Sequence, residues 1–156
     1  MELKNTIFEK RTYHRDMNWL FDFTQNFTER KKWDKQTLEI DFFEGFTELK
    51  KGVKVYTKSI EGVRMETEYL TFNPPYEISI RMINKSPIFK DFVGTWEYSS
   101  NGNKETTLKI TYRFNLKFPY TLVKCKVLLK IKRNITKKLL FLENHLQELG
   151  DKNSIP

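Results

Sequence analysis

The sequence predicts an α+β domain. One curved antiparallel sheet of seven strands is followed by a single long helix across its concave face, with two short helices after the first strand. Three observations carry this. Between residues 36 and 118 apolar residues recur with a period of two in one segment after another. The joints between those segments are short and rich in turn formers, so neighbouring strands pair antiparallel in chain order. Finally, the stretch from 120 to 149, YTLVKCKVLLKIKRNITKKLLFLENHLQEL, holds no glycine or proline and repeats at helical spacing.

The elements follow in order. LKNTIFEKRTY, with Leu3 and Ile7, is the first strand. The period changes in HRDMNWLFDFTQNF, where Asp16 can cap a helix and Met17, Leu20, Phe21 and Phe27 fall at helical spacings. A short helical pair ends near ERKKWDK, with Trp33 and Asp34 at its exit. QTLEIDFFEG then places Leu38, Ile40 and Phe42 on one face, and GVKVYTKSI does so with Val53, Val55 and Thr57. VRMETEYLTF separates Val63, Met65, Thr67 and Tyr69 from Arg64, Glu66 and Glu68. YEISIRMIN groups Tyr76, Ile78, Ile80 and Met82; IFKDFVGTWEY groups Ile88, Phe92, Gly94, Trp96 and Tyr98. TLKITYRFNLKF is the most regular, with Leu108, Ile110, Tyr112, Phe114, Leu116 and Phe118. The turns are EGV, NPPY, NKSP and SNGN.

In the last segment Leu128, Ile131, Ile135, Leu139, Leu142, Leu146 and Leu149 step by three and four, forming one apolar stripe, and Gly150 is expected to stop the helix. At about 1.5 Å per residue this helix is roughly 45 Å long. Strands rising about 3.3 Å per residue are of comparable length, so one helix can cover one sheet.

Composition sets further bounds. A chain of 156 residues with 38% hydrophobic residues and thirteen Phe can build a real core. MELKNTIFEK has no apolar signal-peptide segment, and no run of about 18 apolar residues could span a bilayer. The lone Cys125 excludes an internal disulfide framework and fits a cytoplasmic location. Among Val123, Val127 and Leu128 it reads as a small buried hydrophobe. Of the net charge of +8, most lies between residues 117 and 156, where nine Lys or Arg face three Asp or Glu. The basicity belongs to the last helix.

Residues for chemistry are scarce. His14 and His145 sit at opposite ends of the sequence, without metal-ligand spacing, so no metal and no cofactor is expected. Gly94, inside a strand, marks a bulge or room for a close approach, the bulge being the simpler reading. Glu66 and Glu68 share the outward face with Lys54, Lys58 and Arg81, which predicts cross-strand ion pairs in water rather than acid–base work. No Ser or Cys is paired with His at a recognisable spacing, so no catalytic residue is assigned. The inward faces instead gather Met65, Thr67, Tyr69, Ile80, Met82, Phe92, Trp96, Tyr112 and Phe114, joined by Ile131 and Ile135 from the helix. These side chains either fill a core or line an apolar cavity, with the hydroxyls of Thr67, Tyr69 and Tyr112 able to fix a ligand's polar end. Lys126, Lys130, Arg133 and Lys137 share the opposite helix face. Their first role is to keep it in water, and contact with an anionic membrane or an acidic protein is the functional alternative. The aromatics are spent on the sheet interior, so no nucleic-acid partner is expected.

The order of these elements resembles the START-like superfamily, also called SRPBCC or helix-grip, which includes birch-pollen-allergen-like and polyketide cyclase/dehydrase-like proteins. The matching phrases are WLFDFTQNFTERKKWDK, KGVKVYTKS, FNPPYEISIRM, GTWEYSSNGNKETTLKITYRF and LLFLENHL, in that order along nearly the whole chain. The resemblance implies one ligand-binding domain over residues 1–150, a short tail at 151–156, and a cavity between sheet and last helix for a hydrophobic small molecule. Members bind lipids, sterols, polyketides, hormones and quinones, and share no catalytic residue. The expectation is therefore a non-catalytic carrier or sensor of a lipid, isoprenoid or polyketide-like molecule. The rival readings are a polyketide cyclase/dehydratase-like enzyme and an interaction module using the basic helix face.

Overall fold

The computed structural model describes residues 2–154, with side chains through Gly150. β1 (Asn5–Tyr13) is followed by α1 (Met17–Gln25) and α2 (Phe27–Trp33). Six strands come next: β2 (Thr37–Phe42), β3 (Lys54–Ser59), β4 (Arg64–Asn73), β5 (Glu77–Met82), β6 (Phe89–Gly102) and β7 (Glu105–Leu116). A 3-10 turn at Tyr120–Val123 leads into α3 (Lys124–Ser154). The strands form one antiparallel sheet in the order β1-β7-β6-β5-β4-β3-β2. Strands β2 to β7 pair with their chain neighbours, as short turns require. β1 departs from this by joining β7, from Asn5 opposite Phe114 to Tyr13 opposite Thr106.

Local chemistry explains the helix starts. The Asp16 carboxylate accepts the Trp19 N–H at 3.2 Å and caps α1. Asn26 ends α1 and caps α2, its side-chain oxygen accepting the Glu29 N–H at 3.1 Å.

The leucine stripe of α3 faces the sheet. Ile131, Ile135, Leu139, Leu142 and Leu146 are buried, while Leu128 and Leu149 are half-buried at its two ends. The helix is tied to β1 by the Tyr13 hydroxyl, which donates to the Leu139 carbonyl at 2.7 Å, and by Lys132, 3.5 Å from Glu9. Lys130 reaches Glu61 in the turn between β3 and β4 at 3.6 Å. One helix thus touches both flanks of the curved sheet.

Several expectations need correction. The helix starts at Lys124, not Tyr120, and runs through Gly150 to Ser154. Cys125 is exposed on its first turn, before α3 reaches the core. Leu38 is 55% exposed because the β2–β3 register shifts between Thr37 and Glu39. Val63, Tyr76 and Phe118 lie just outside their strands and are also exposed. Gly94 is not a bulge: the irregularities of the β6–β7 pair fall at Phe89/Asp91 and Ser100/Gly102. Gly94 gives room instead, since a Cβ there would stand 3.2 Å from Cε1 of Tyr112.

Candidate ligand-binding site

The inner face of the sheet carries the expected residues, but in two states. Thr67, Tyr69, Phe92, Trp96, Phe114, Ile131 and Ile135 are buried. Met65, Ile80, Met82 and Tyr112 are only half-buried, although they lie on inner positions of central strands. The register brings part of this second group together across the sheet, with Tyr112 opposite Gly94, Gly94 opposite Ile80, and Ile80 opposite Tyr69. Tyr112 rests on Phe92 at 5.0 Å between ring centroids, and Phe92 meets Phe89 at 5.1 Å. Val127 and Leu128, early in α3, are likewise half-buried against the core. Further along, Leu139, Leu142 and Leu146 are packed shut with Leu20, Phe21 and Leu108 in the same core. The interior is therefore closed around the later turns of α3 and looser around its start.

Among the described residues, two surface clefts are notable. One, of about 500 Å³, is bounded by Glu2, Lys4, Asn5, Lys90, Asp91, Asn115, Leu116, Thr121 and Lys124, where β1, β6 and β7 meet the start of α3. The other, of about 450 Å³, lies between the α1–α2 junction and β2, with Gln25 and Ile40 among its walls. Neither is lined by the residues expected from the sequence.

The inward hydroxyls differ in availability. Thr67 Oγ1 donates to the Val55 carbonyl at 3.2 Å, so it is not free for a ligand. The Tyr69 hydroxyl points at Gln25 Oε1, 3.4 Å away. Gln25 Nε2 in turn donates to the Tyr98 hydroxyl, which also bonds Thr24 Oγ1 at 2.6 Å. The Tyr112 hydroxyl makes no hydrogen bond to another described residue. Burial pushes Tyr69 up to about 12, against the opposing charge of Arg30. Tyr112 is also pushed up to about 12, by burial first, with Arg30 lowering and Asp34 raising it. Both are neutral phenols at neutral pH, able to donate and unsuited to act as bases.

One cluster was not foreseen. Asp34, fully buried at the end of α2, receives Lys138 Nζ at 2.6 Å, Arg30 Nε at 3.0 Å and Thr37 Oγ1 at 2.9 Å on one oxygen. The Gln36 N–H reaches the other at 3.2 Å. Burial alone would raise its pKa, but Lys138 and Arg30 overcome it and hold the carboxyl well below the usual range. Lys138 is lowered by burial, with Asp34 opposing. Asp34 is thus an ionised, saturated group that organises the α2–β2 corner, not a proton donor. Arg30 also lies 4.8 Å over the Trp96 ring and 5.8 Å from that of Trp33. A signal for Lys138 was present: it stands three residues after Ile135 and four before Leu142, on the apolar stripe.

The outward groups meet the expected cross-strand pairing only in part. Glu68 pairs with Arg81 across strands at 3.1 Å and Glu66 with Arg64 at 3.2 Å, while Lys54 chooses Glu44 instead. Lys126, Lys130, Arg133 and Lys137 are all exposed, and Lys130 alone of these pairs with a described carboxylate.

With this geometry in place, solved structures supply the comparison. The aromatase/cyclase Zhui from Streptomyces sp. R1128 superposes with a TM-score of 0.75 at 13% identity, over 92% of this chain and 93% of its own. A START superfamily protein from Mycobacterium smegmatis gives 0.67 at 10%, over 96% and 99%. The chain has the helix-grip fold. The di-domain ARO/CYC BexL of the BE-7585A biosynthetic pathway gives 0.70 at 10% over 90% of this chain, which spans about half of BexL, 47%. No protein-family model and no curated protein matches the sequence. Within the helix grip, among the described residues, no helix is long and apolar enough to cross a membrane.

Proposed function

We propose that this helix-grip chain binds a hydrophobic small molecule, a lipid, isoprenoid or polyketide-like compound, between the sheet and the first half of α3, and carries it without chemical change. The observation that supports this reading is the row of half-buried apolar side chains, Met65, Ile80, Met82 and Tyr112, on the inner face of central strands. A domain that needed only a core would close this row as it closes the other end. Affinity comes from burying that surface, at about 25 cal/mol per Å² before the costs of association. The 500 Å³ cleft at the start of α3, where Leu116 continues the inner face of β7, is the natural mouth. The exposed thiol of Cys125 suits a reducing, cytoplasmic setting.

The aromatase/cyclases among the structural neighbours raise the enzyme reading, and an interior carboxylate raises it again. Asp34 does not serve it, because both of its oxygens are engaged and its charge is held. The exposed basic face of α3 leaves contact with an anionic membrane or acidic protein as a secondary proposal, tested by salt-sensitive pelleting with vesicles of anionic lipid.

The direct test is titration with the neutral fluorophore N-phenyl-1-naphthylamine, together with mass spectrometry of an organic extract of the purified protein. Saturable fluorescence that is lost in Met82→Trp, which fills the space, is the expected result. An empty extract and no saturable binding would remove the proposal.

A further inference from the structure

The interior cluster holds more positive charge than it neutralises. Arg30 and Lys138 face one carboxylate, that of Asp34. Arg30 commits only its Nε there, and its side chain, 15% exposed, lies with the guanidinium over the Trp96 ring. Trp33, 1% exposed, has an indole N–H with no partner. Tyr112 is the diagonal neighbour of Trp96 on the inner face, since Trp96 pairs with Ile110 and Gly94 with Tyr112. Its hydroxyl makes no hydrogen bond among the described residues but, unlike the indole N–H, is not sealed from solvent. A buried indole N–H without an acceptor, beside a surplus and largely enclosed cation, is costly, and one anionic acceptor would relieve both. From Phe92 to Trp96 the β6 strand offers about 13 Å of sheet surface for an apolar body leading up to that point.

Resting on the apolar site proposed above, we infer that the ligand carries a terminal carboxylate, which docks on the free edge of the Arg30 guanidinium with help from Trp33 Nε1 and the Tyr112 hydroxyl. The fork of a guanidinium matches a carboxylate in shape. The charge matches as well: one surplus positive charge is balanced by one negative, whereas a phosphate monoester, at about −1.5 to −2, overcompensates.

The experiment compares cis-parinaric acid with its methyl ester by fluorescence titration at neutral pH. In the native chain the acid binds at least about tenfold tighter, the scale of a charge-assisted hydrogen bond. In Arg30→Gln the ratio of acid to ester affinity falls to about one, while Lys138 still holds Asp34. Tyr112→Phe lowers the ratio of acid to ester affinity, and this ratio decides the matter if Arg30→Gln does not fold. Equal binding of acid and ester by the native chain overturns the carboxylate and leaves the apolar site standing. Binding of neither probe, nor of the neutral fluorophore, overturns both.

Discussion

Asp34 has no solvent exposure, yet every group around it favours its charge. Removing it leaves Arg30 and Lys138 buried without a counter-ion, so Asp34→Ala should cost about 3–5 kcal/mol in chemical denaturation, far above a surface substitution. The same residue sets an acid limb. Its folded pKa is depressed from the unfolded value of 3.8, so its contribution is complete above that pH and is lost as pH falls through it toward the folded value. Lys138, lowered from 10.5, acts with the same sign at the alkaline end, where stability rises toward that value. Native-state melts between pH 5 and pH 2, which should steepen for the native chain and flatten for Asp34→Asn, check the acid limb. Asp34 was legible as the end of a helix and illegible as an ion-pair centre. Its partner lies 104 residues away in a run of lysines that otherwise face water.

At the scale of elements, α3 divides its leucines sharply. Leu142 is wholly buried and Leu129 is 55% exposed. Leu142→Ala should therefore destabilise by about 2–5 kcal/mol, and Leu129→Ala by no more than about 0.5, read from denaturant midpoints. The stripe was readable because 3.6-residue periodicity survives anything short of a break. Strand faces were less secure, because one shifted residue sends every later side chain to the opposite face. The shift between Tyr69 and Thr71 brings Phe72 inward, where it meets Tyr69 at 6.2 Å and Phe21 at 5.7 Å, a switch that plain alternation misses. Gly94 shows the same limit: sequence flags a missing side chain, and only the packing reveals that Tyr112 occupies the space.

For the molecule as a whole, the arrangement of one helix over one sheet was legible in order and length. The distribution of closed and loose packing was not, since it depends on which inward side chains touch. The helix supplies the far wall of the core, with Ile135, Leu139 and Leu142 buried in the same cluster as the inner face of the sheet. A chain ended at Pro119 keeps every strand but leaves that face open. It should show no cooperative thermal transition and should bind apolar dyes strongly, measured by circular dichroism and fluorescence.

The pairing of the first strand with the last carries a consequence for synthesis. Asn5 bonds to the Phe114 carbonyl across 109 residues, so β1 waits for more than a hundred later residues to be made before it finds its neighbour. Loop closure over that distance is slow, and an unpaired strand edge is prone to stray association meanwhile. Production of the protein should then respond to the pace of translation and the supply of chaperones.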